Sequence, residues 1–142
     1  MLSRERASAL FLVPAAILIL VILAAIAVDF SHLYLERREL LAATSAAAND
    51  AVTAIDQDLL RSGVDARFEL DLPRVEAVAS ASLAARGFTV APTVSVNASA
   101  DGNPVVTVQV SRTVDYIFVK AVPGGSSGFT VTAEASAEAA RE

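Results

Sequence analysis

An uncharged run of 20 apolar residues, from Ala9 to Val28, dominates the hydrophobic pattern of this chain. At a rise of about 1.5 Å per residue, a helix of that length matches the hydrocarbon thickness of a bilayer. The mixed polar and apolar stretch from Asp29 to Leu40 follows without a helix-breaking residue. The pattern therefore predicts one continuous helix that begins in a membrane and emerges from it.

Helical spacing continues beyond the apolar run. Between residues 30 and 59, apolar and small side chains recur every three or four positions, and polar ones mostly take the other side. Ser62-Gly63 provides a stop signal, because glycine tolerates the left-handed conformation that ends many helices. One face carries small side chains that let another backbone approach closely, so it is expected to pack on the chain's own sheet, on a partner helix, or on both. Its candidate helix-contact residues are Ala43, Ala47, Ala48 and Ala51.

The second half of the chain predicts a small α+β domain. A short helix is expected to open at Asp71, a capping residue, and to close at Arg86. Three segments then alternate apolar and polar residues, which is the pattern of half-buried strands: Thr93–Ser99, Val105–Phe118 and Gly128–Glu138. The simplest assembly is a three-stranded antiparallel sheet with one face packed on the short helix and on the outer part of the long one.

The charges that flank the apolar run predict its orientation. Arg4 and Arg6 precede the run, whereas Asp29 and a mixture of acids and bases follow it. Because basic residues stay on the cytoplasmic side, the N-terminus is expected in the cytoplasm and the rest outside. The predicted division of the chain is a cytoplasmic N-terminus over 1–8, a transmembrane helix over 9–28, its extracytoplasmic continuation over 29–62 and a small domain over 63–142.

A cleaved secretory signal is the alternative interpretation of the same residues. Arg4 and Arg6 would form its basic region, and Ala25-Ile26-Ala27 its small-residue cleavage site. Release after Ala27 would leave a secreted soluble binding domain. The unbroken helical pattern through this site favours a retained anchor, because a peptidase needs extended backbone.

Composition excludes several classes of function. A net charge of -5 and a pI near 4.8 leave no basic stripe for nucleic acid. The chain has no cysteine and a single histidine, His32, which is expected to lie in the lipid headgroup layer; a multi-histidine metal site is therefore excluded. With no nucleophile and base in a recognisable pattern, we expect a non-enzymatic protein without a cofactor.

The charged residues just beyond the apolar run have both a functional and a structural interpretation. Asp29 could pair with an arginine or cap a partner's helix, but a solvated acid that marks the membrane exit is the favoured interpretation. Arg37 and Arg38 could bind anionic headgroups. Because they sit beside Glu36 and Glu39, local neutralisation is expected instead.

Three features of the predicted sheet give weaker indications of function. Arg112 interrupts an apolar strand face and is expected to extend its charged end into solvent at the sheet edge. The segment Tyr116–Lys120 is apolar and could contact the membrane or a partner, with burial in the domain core as the default expectation. Asn97-Ala98-Ser99 matches a glycosylation sequon, a pattern that occurs often by chance.

Several stretches of the N-terminal half combine into one further pattern. An apolar helix ends in an Ala-Val-Asp step, a Leu-Tyr-x-x-Arg-Arg-x-Leu stretch follows, and an alanine-rich helix comes next. The quoted stretches are Ser8-Ala-Leu-Phe-Leu-Val-Pro14, Ala27-Val-Asp-Phe-Ser-His-Leu-Tyr-Leu-Glu-Arg-Arg-Glu-Leu40, Ala42-Ala43 and Ala46-Ala47-Ala48-Asn-Asp-Ala51. This segment resembles the N-terminal part of TadE/TadG-like Flp pilus-assembly proteins, over roughly the first 50 residues. The informative motif positions are Asp29, Leu33, Tyr34, Arg37 and Arg38.

The resemblance implies a single-pass protein of the bacterial plasma membrane, within a type IV-like pilus or secretion apparatus, and a pilin-like extracytoplasmic domain. Its implied partners are the lipid bilayer and other subunits of the apparatus, including further copies of itself. Processed members carry a glycine before the cleavage point and a glutamate five residues into the apolar helix. Here the candidate processing residues are Arg6, Ala7 and Ser8, and no acid occurs between Glu5 and Asp29. An accessory or minor component is therefore expected.

Overall fold

The computed structural model describes residues 2–54, 71–101, 103–121 and 124–139. It has a long N-terminal helix, one short helix and a three-stranded antiparallel sheet, which confirms the predicted α+β class. In chain order the elements are α1 (Leu2–Ala51), α2 (Leu72–Ala85), β1 (Thr93–Ala98), β2 (Pro104–Asp115), a 3-10 turn (Val119–Ala121) and β3 (Gly128–Glu138).

Helix α1 is 50 residues long and carries its apolar segment without a break. Its large side chains from Leu12 to Val28 are exposed in the chain, with values from 41% at Ile26 to 66% at Leu20. The helix is long enough to cross a membrane, and the mean hydropathy of its apolar part is 2.8. A helix that is apolar on all sides is stable where apolar surroundings cover it, so α1 is compatible with a single membrane span.

The long helix ends at Ala51, before the predicted stop at Ser62. The Thr53 amide and hydroxyl both donate to the Asp50 carbonyl, at 3.2 and 2.6 Å, and so tighten the chain into a turn. A threonine hydroxyl that binds nearby backbone competes with helix propagation in this way. The predicted continuation over residues 55–62 lies outside the described residues.

Helix α2 begins and ends within one residue of its predicted bounds. Asp71 has extended backbone, but its side chain makes no capping hydrogen bond; Pro73 occupies the first turn instead. At the other end Gly87 has a φ of +84°, and the Phe88 amide donates to the Leu83 carbonyl at 3.0 Å. This left-handed closure turns the buried Phe88 toward the core.

The sheet has the order β1-β2-β3. Thr93 lies opposite Gln109 in the β1–β2 pair. Across β2 and β3, three pairs of hydroxyl side chains form hydrogen bonds on the exposed face: Thr107 with Ser136, Ser111 with Thr132, and Thr113 with Thr130. The polar residues that alternate with apolar ones along these strands therefore face solvent, as the sequence pattern predicts.

The chain divides into two compact units, one that combines residues 1–35 with 114–129 and one that combines 36–113 with 130–142. The second unit contains most of the hydrophobic core, and the core residues come from both helices, from two strands and from the turn after α2. They include Leu40, Ala47, Val75, Ala79, Leu83, Phe88, Val106, Val108, Val110, Val131 and Ala133.

Candidate functional site: the Asp29 junction

The carboxylate of Asp29 lies at the end of the apolar segment and is only 3% exposed. Its Oδ1 accepts hydrogen bonds from the amides of Ile117 at 2.7 Å and Phe118 at 3.1 Å. Its Oδ2 accepts from Phe118 at 3.2 Å and Val119 at 2.9 Å. We call these four residues the Asp29 junction. The expectation of a solvated acid is wrong, because main-chain donors replace water around both oxygens.

The junction forms where β2 stops. Just beyond the strand, the Tyr116 amide donates to the Ser127 carbonyl at 3.1 Å. The next three amides bond to Asp29 and not to β3. For this reason β2 ends at Asp115 and not at the predicted Phe118.

A glycine permits the close approach of the two strands beside the junction. A Cβ placed on Gly128 would lie 2.7 Å from the carbonyl oxygen of Val114. Such a contact is closer than real Cβ atoms tolerate, so any other residue here would push β3 away from β2. Gly128 therefore supports the turn that delivers residues 117–119 to Asp29.

Two opposed effects act on the pKa of Asp29. Burial raises the pKa, while the amides of Phe118, Val119 and Ile117 and the nearby His32 lower it. The hydrogen bonds prevail, and the pKa of Asp29 lies below its ordinary value. The charged carboxylate is therefore the form that holds the junction together.

An apolar pocket of about 340 Å³ adjoins the junction. Besides Asp29, it is lined by Ile26, Phe30, Leu33, Tyr116, Val119 and Ser126. The neighbouring side chains Ile117 and Phe118 are 45% and 46% exposed. The default expectation that the Tyr116–Lys120 segment is buried is therefore wrong for these two residues.

The five motif positions separate into two groups. Asp29 and Leu33, four residues apart on α1, both face the junction and its pocket. Tyr34 is 67% exposed, and Arg37 and Arg38 are exposed as well. The first group thus makes contacts within the chain, whereas the second lies on the surface.

Glu36 does not neutralise its arginine neighbours as expected. Its Oε2 pairs instead with the guanidinium of Arg112, at 3.1 Å. Arg112 lies on the middle strand of the sheet, and its guanidinium carbon is 5.6 Å from the centre of the Phe88 ring. The expectation that Arg112 merely extends into solvent at a sheet edge is therefore wrong, because it links β2 to α1.

The small-residue face of α1 is covered within the second unit. Ala43, Ala47, Ala48 and Ala51 are 3%, 0%, 1% and 0% exposed. Of the two packings expected for this face, the structure shows the one on the chain's own domain. At these four positions no surface is left for a partner helix.

A second polar cluster joins α1 to α2, and the sequence did not indicate it. The Ser82 hydroxyl donates to Oδ2 of Asp50 at 2.6 Å and accepts from Nη1 of Arg86. Arg86 also donates to the Ser82 carbonyl at 2.8 Å and lies 3.6 Å from the Asp50 carboxylate. In the sequence, only the four-residue spacing of Ser82 and Arg86 on one helix pointed to this cluster. The Asp50 carboxylate beside the hydroxyl also faces Arg86, so the cluster holds the two helices together as a structural link.

The remaining candidate positions are not among the residues that define the Asp29 junction. Arg6, Ala7 and Ser8 lie in helical backbone, and their side chains are outside the described part of the chain. His32 is half-buried, and Asn97 is exposed on β1. Within the described ranges, no group of three or more potential metal-ligating side chains occurs. The arrangement at Asp29 can anchor backbone.

Comparison of the chain with protein-family models, with curated proteins and with solved structures finds no match.

Proposed function

We propose that this chain is a non-enzymatic, single-pass membrane protein that serves as an accessory or minor pilin-like component of a Tad/Flp-type pilus or related secretion apparatus. The observation that carries the proposal is the unbroken helix Leu2–Ala51, whose apolar part is exposed and whose outer part is packed in a folded unit. A helix of this kind joins a small domain to a bilayer.

The flanking charges support a plasma-membrane location with the N-terminus in the cytoplasm. Arg4 and Arg6 precede the apolar run, and Asp29 follows it. A buried acid at the exit is also consistent with a span that stops there, because a charge deeper in hydrocarbon is costly. The domain after residue 29 would then lie outside the cytoplasm.

The motif resemblance supports the pilus or secretion context. Two departures from the processed members favour an accessory role over that of a major filament subunit. Ala7 stands in place of the glycine, and no acid occurs between Glu5 and Asp29. A major pilin of the processed kind uses that acid to pair with a neighbour's terminal amine.

The exposed motif residues are the best candidates for contacts with other subunits. Tyr34, Arg37 and Arg38 make no side-chain hydrogen bond or ion pair with the described residues. Tyrosine and arginine are enriched at the energetic centres of protein interfaces. We therefore assign subunit contact to these side chains and not to the buried alanines.

A first experiment tests the anchor. The intact mass of the protein, extracted from its native membranes with detergent, should correspond to the full chain or to one that begins near Ala7 or Ser8. A mass that begins at Val28, recovered without detergent, would replace the proposal with a secreted binding domain.

A second experiment tests the apparatus. Because the chain has no cysteine, Arg38→Cys provides a single cross-linking site, and Thr132→Cys on the polar sheet face is the matched control. In native membranes Arg38→Cys should cross-link to pilus or secretion subunits more than the control does. Equal labelling of both variants, or no subunit adducts, would contradict the proposed partners.

A further inference from the structure

The Asp29 junction places a loop at the point where the apolar segment ends. Asp29 directly follows Val28, the last residue of the apolar run. The amides of Ile117, Phe118 and Val119 lie 2.7–3.2 Å from the Asp29 carboxylate oxygens. Since successive helix residues rise by about 1.5 Å, the loop backbone lies within roughly one helical turn of the end of the span.

The side chains of this loop are apolar and unburied. Ile117 and Phe118 are 45% and 46% exposed, whereas a loop tip in water usually carries polar residues. Ile26 and Val28, on the last turn of the apolar segment, are 41% and 44% exposed. The exposed loop side chains therefore continue an apolar surface that already belongs to the proposed span.

The charges beside the loop fit the polar boundary of a bilayer. Lys120 is exposed two residues after Phe118, and a lysine beside apolar anchors can reach the headgroup phosphates. Asp115 is also exposed, so the local charges are balanced and the attraction comes mainly from apolar burial. The Asp29 charge is enclosed by amides and does not oppose the contact.

We propose that Ile117 and Phe118 insert into the interfacial layer of the bilayer, as a second membrane attachment held in place by Asp29. This inference rests on the membrane span of the proposed function. A helix that crosses a bilayer alone can rotate about its axis, whereas a second contact fixed to its exit point restricts that rotation. The junction thereby orients the membrane-proximal part of the chain relative to the lipid surface.

The test uses tryptophan fluorescence, because the chain has no native tryptophan. Phe118→Trp is made in the full chain and reconstituted in phosphatidylcholine vesicles with brominated acyl chains, which quench tryptophan on contact. Leu20→Trp is the reference within the span, and Thr132→Trp on the polar sheet face is the reference for water. Each variant is also made with Asp29→Asn.

The proposal expects Phe118→Trp to be quenched more than Thr132→Trp and to emit at a shorter wavelength. Adding Asp29→Asn should reduce quenching at position 118 and leave Leu20→Trp unchanged. If Leu20→Trp is strongly quenched and Phe118→Trp is not quenched at all, the loop contact is overturned and the membrane span is retained. Short-wavelength but unquenched emission at 118 would indicate a protein cover and overturn the lipid contact. An unquenched Leu20→Trp would overturn both the span and the loop contact.

Discussion

Asp29 and Phe118 are 89 residues apart in the chain, and both oxygens of the Asp29 carboxylate accept the Phe118 amide, at 3.1 and 3.2 Å. Ile117 and Val119 complete the contact, one on each oxygen. A short polar side chain at the end of an apolar helix thus holds three successive amides of a loop. This contact explains both where β2 ends and why two large apolar side chains remain exposed beside the helix.

Asp29→Asn should release the loop. An asparagine side chain has one acceptor oxygen, and its amide group would face main-chain donors that it cannot satisfy. We expect the amides of Ile117, Phe118 and Val119 to exchange with solvent deuterium much faster in the variant. Asp115→Asn, at a nearby exposed acid, is the matched control and should leave that exchange unchanged. Equal protection in Asp29→Asn and the native chain would show that the carboxylate does not hold the loop.

The junction should also depend on pH. Because the folded pKa of Asp29 lies below its ordinary value of 3.8, its contribution is complete above that value and is lost as pH falls through the folded pKa. Amide exchange at 117–119, corrected for its intrinsic pH dependence, should therefore stay slow to below pH 3.8 and then accelerate. Asp29→Asn should remove this transition. Loss of protection at a pH well above 3.8 would contradict a lowered pKa.

Ala47→Leu should destabilise the second unit. Ala47 is 0% exposed, so three extra carbon atoms have no space without displacing neighbours. Overpacking of this kind costs about 1–3 kcal/mol in the free energy of unfolding. Ala42→Leu makes the same change at an exposed position of the same helix and should be nearly neutral. Thermal unfolding of the detergent-solubilised chain measures both, and equal melting temperatures would indicate that the face is not tightly packed.

Ser82→Ala should weaken the link between α1 and α2. It removes the hydroxyl that donates to Asp50 and accepts from Arg86. Since both charged partners keep access to water, the loss should be that of an ordinary hydrogen bond, about 0.5–1.5 kcal/mol. Ser80→Ala, at an exposed position of α2, is the control for helix propensity. If denaturant unfolding gives the same free energy of unfolding for both variants, the cluster has no stabilising role.

Local periodicity accounts for much of the fold. The uncharged run predicted the apolar helix, and alternation placed β1 and β3 within one residue of their observed bounds. The same alternation identified which residues of β2 are buried, and these include Val106, Val108 and Val110. These features depend on neighbours within a few residues, so they can be seen in the sequence.

The errors arose where distant residues meet. Nothing near Asp29 indicates that amides 88–90 residues later would surround it. Arg112 likewise finds Glu36 across 76 residues, which left both side chains misassigned from their local context. A sequence pattern reports which face of an element is apolar, but it does not report which element covers that face.

The sequence by itself therefore determined the apolar helix, the α+β class and the polar face of the sheet, because each follows from side-chain periodicity along one element. Tertiary structure alone decided that Asp29 is a buried anchor, that β2 stops at Asp115 and that the small alanine face packs within its own domain. The physical reason is that unpaired amides and apolar faces must find partners, and folding brings those partners from elsewhere in the chain.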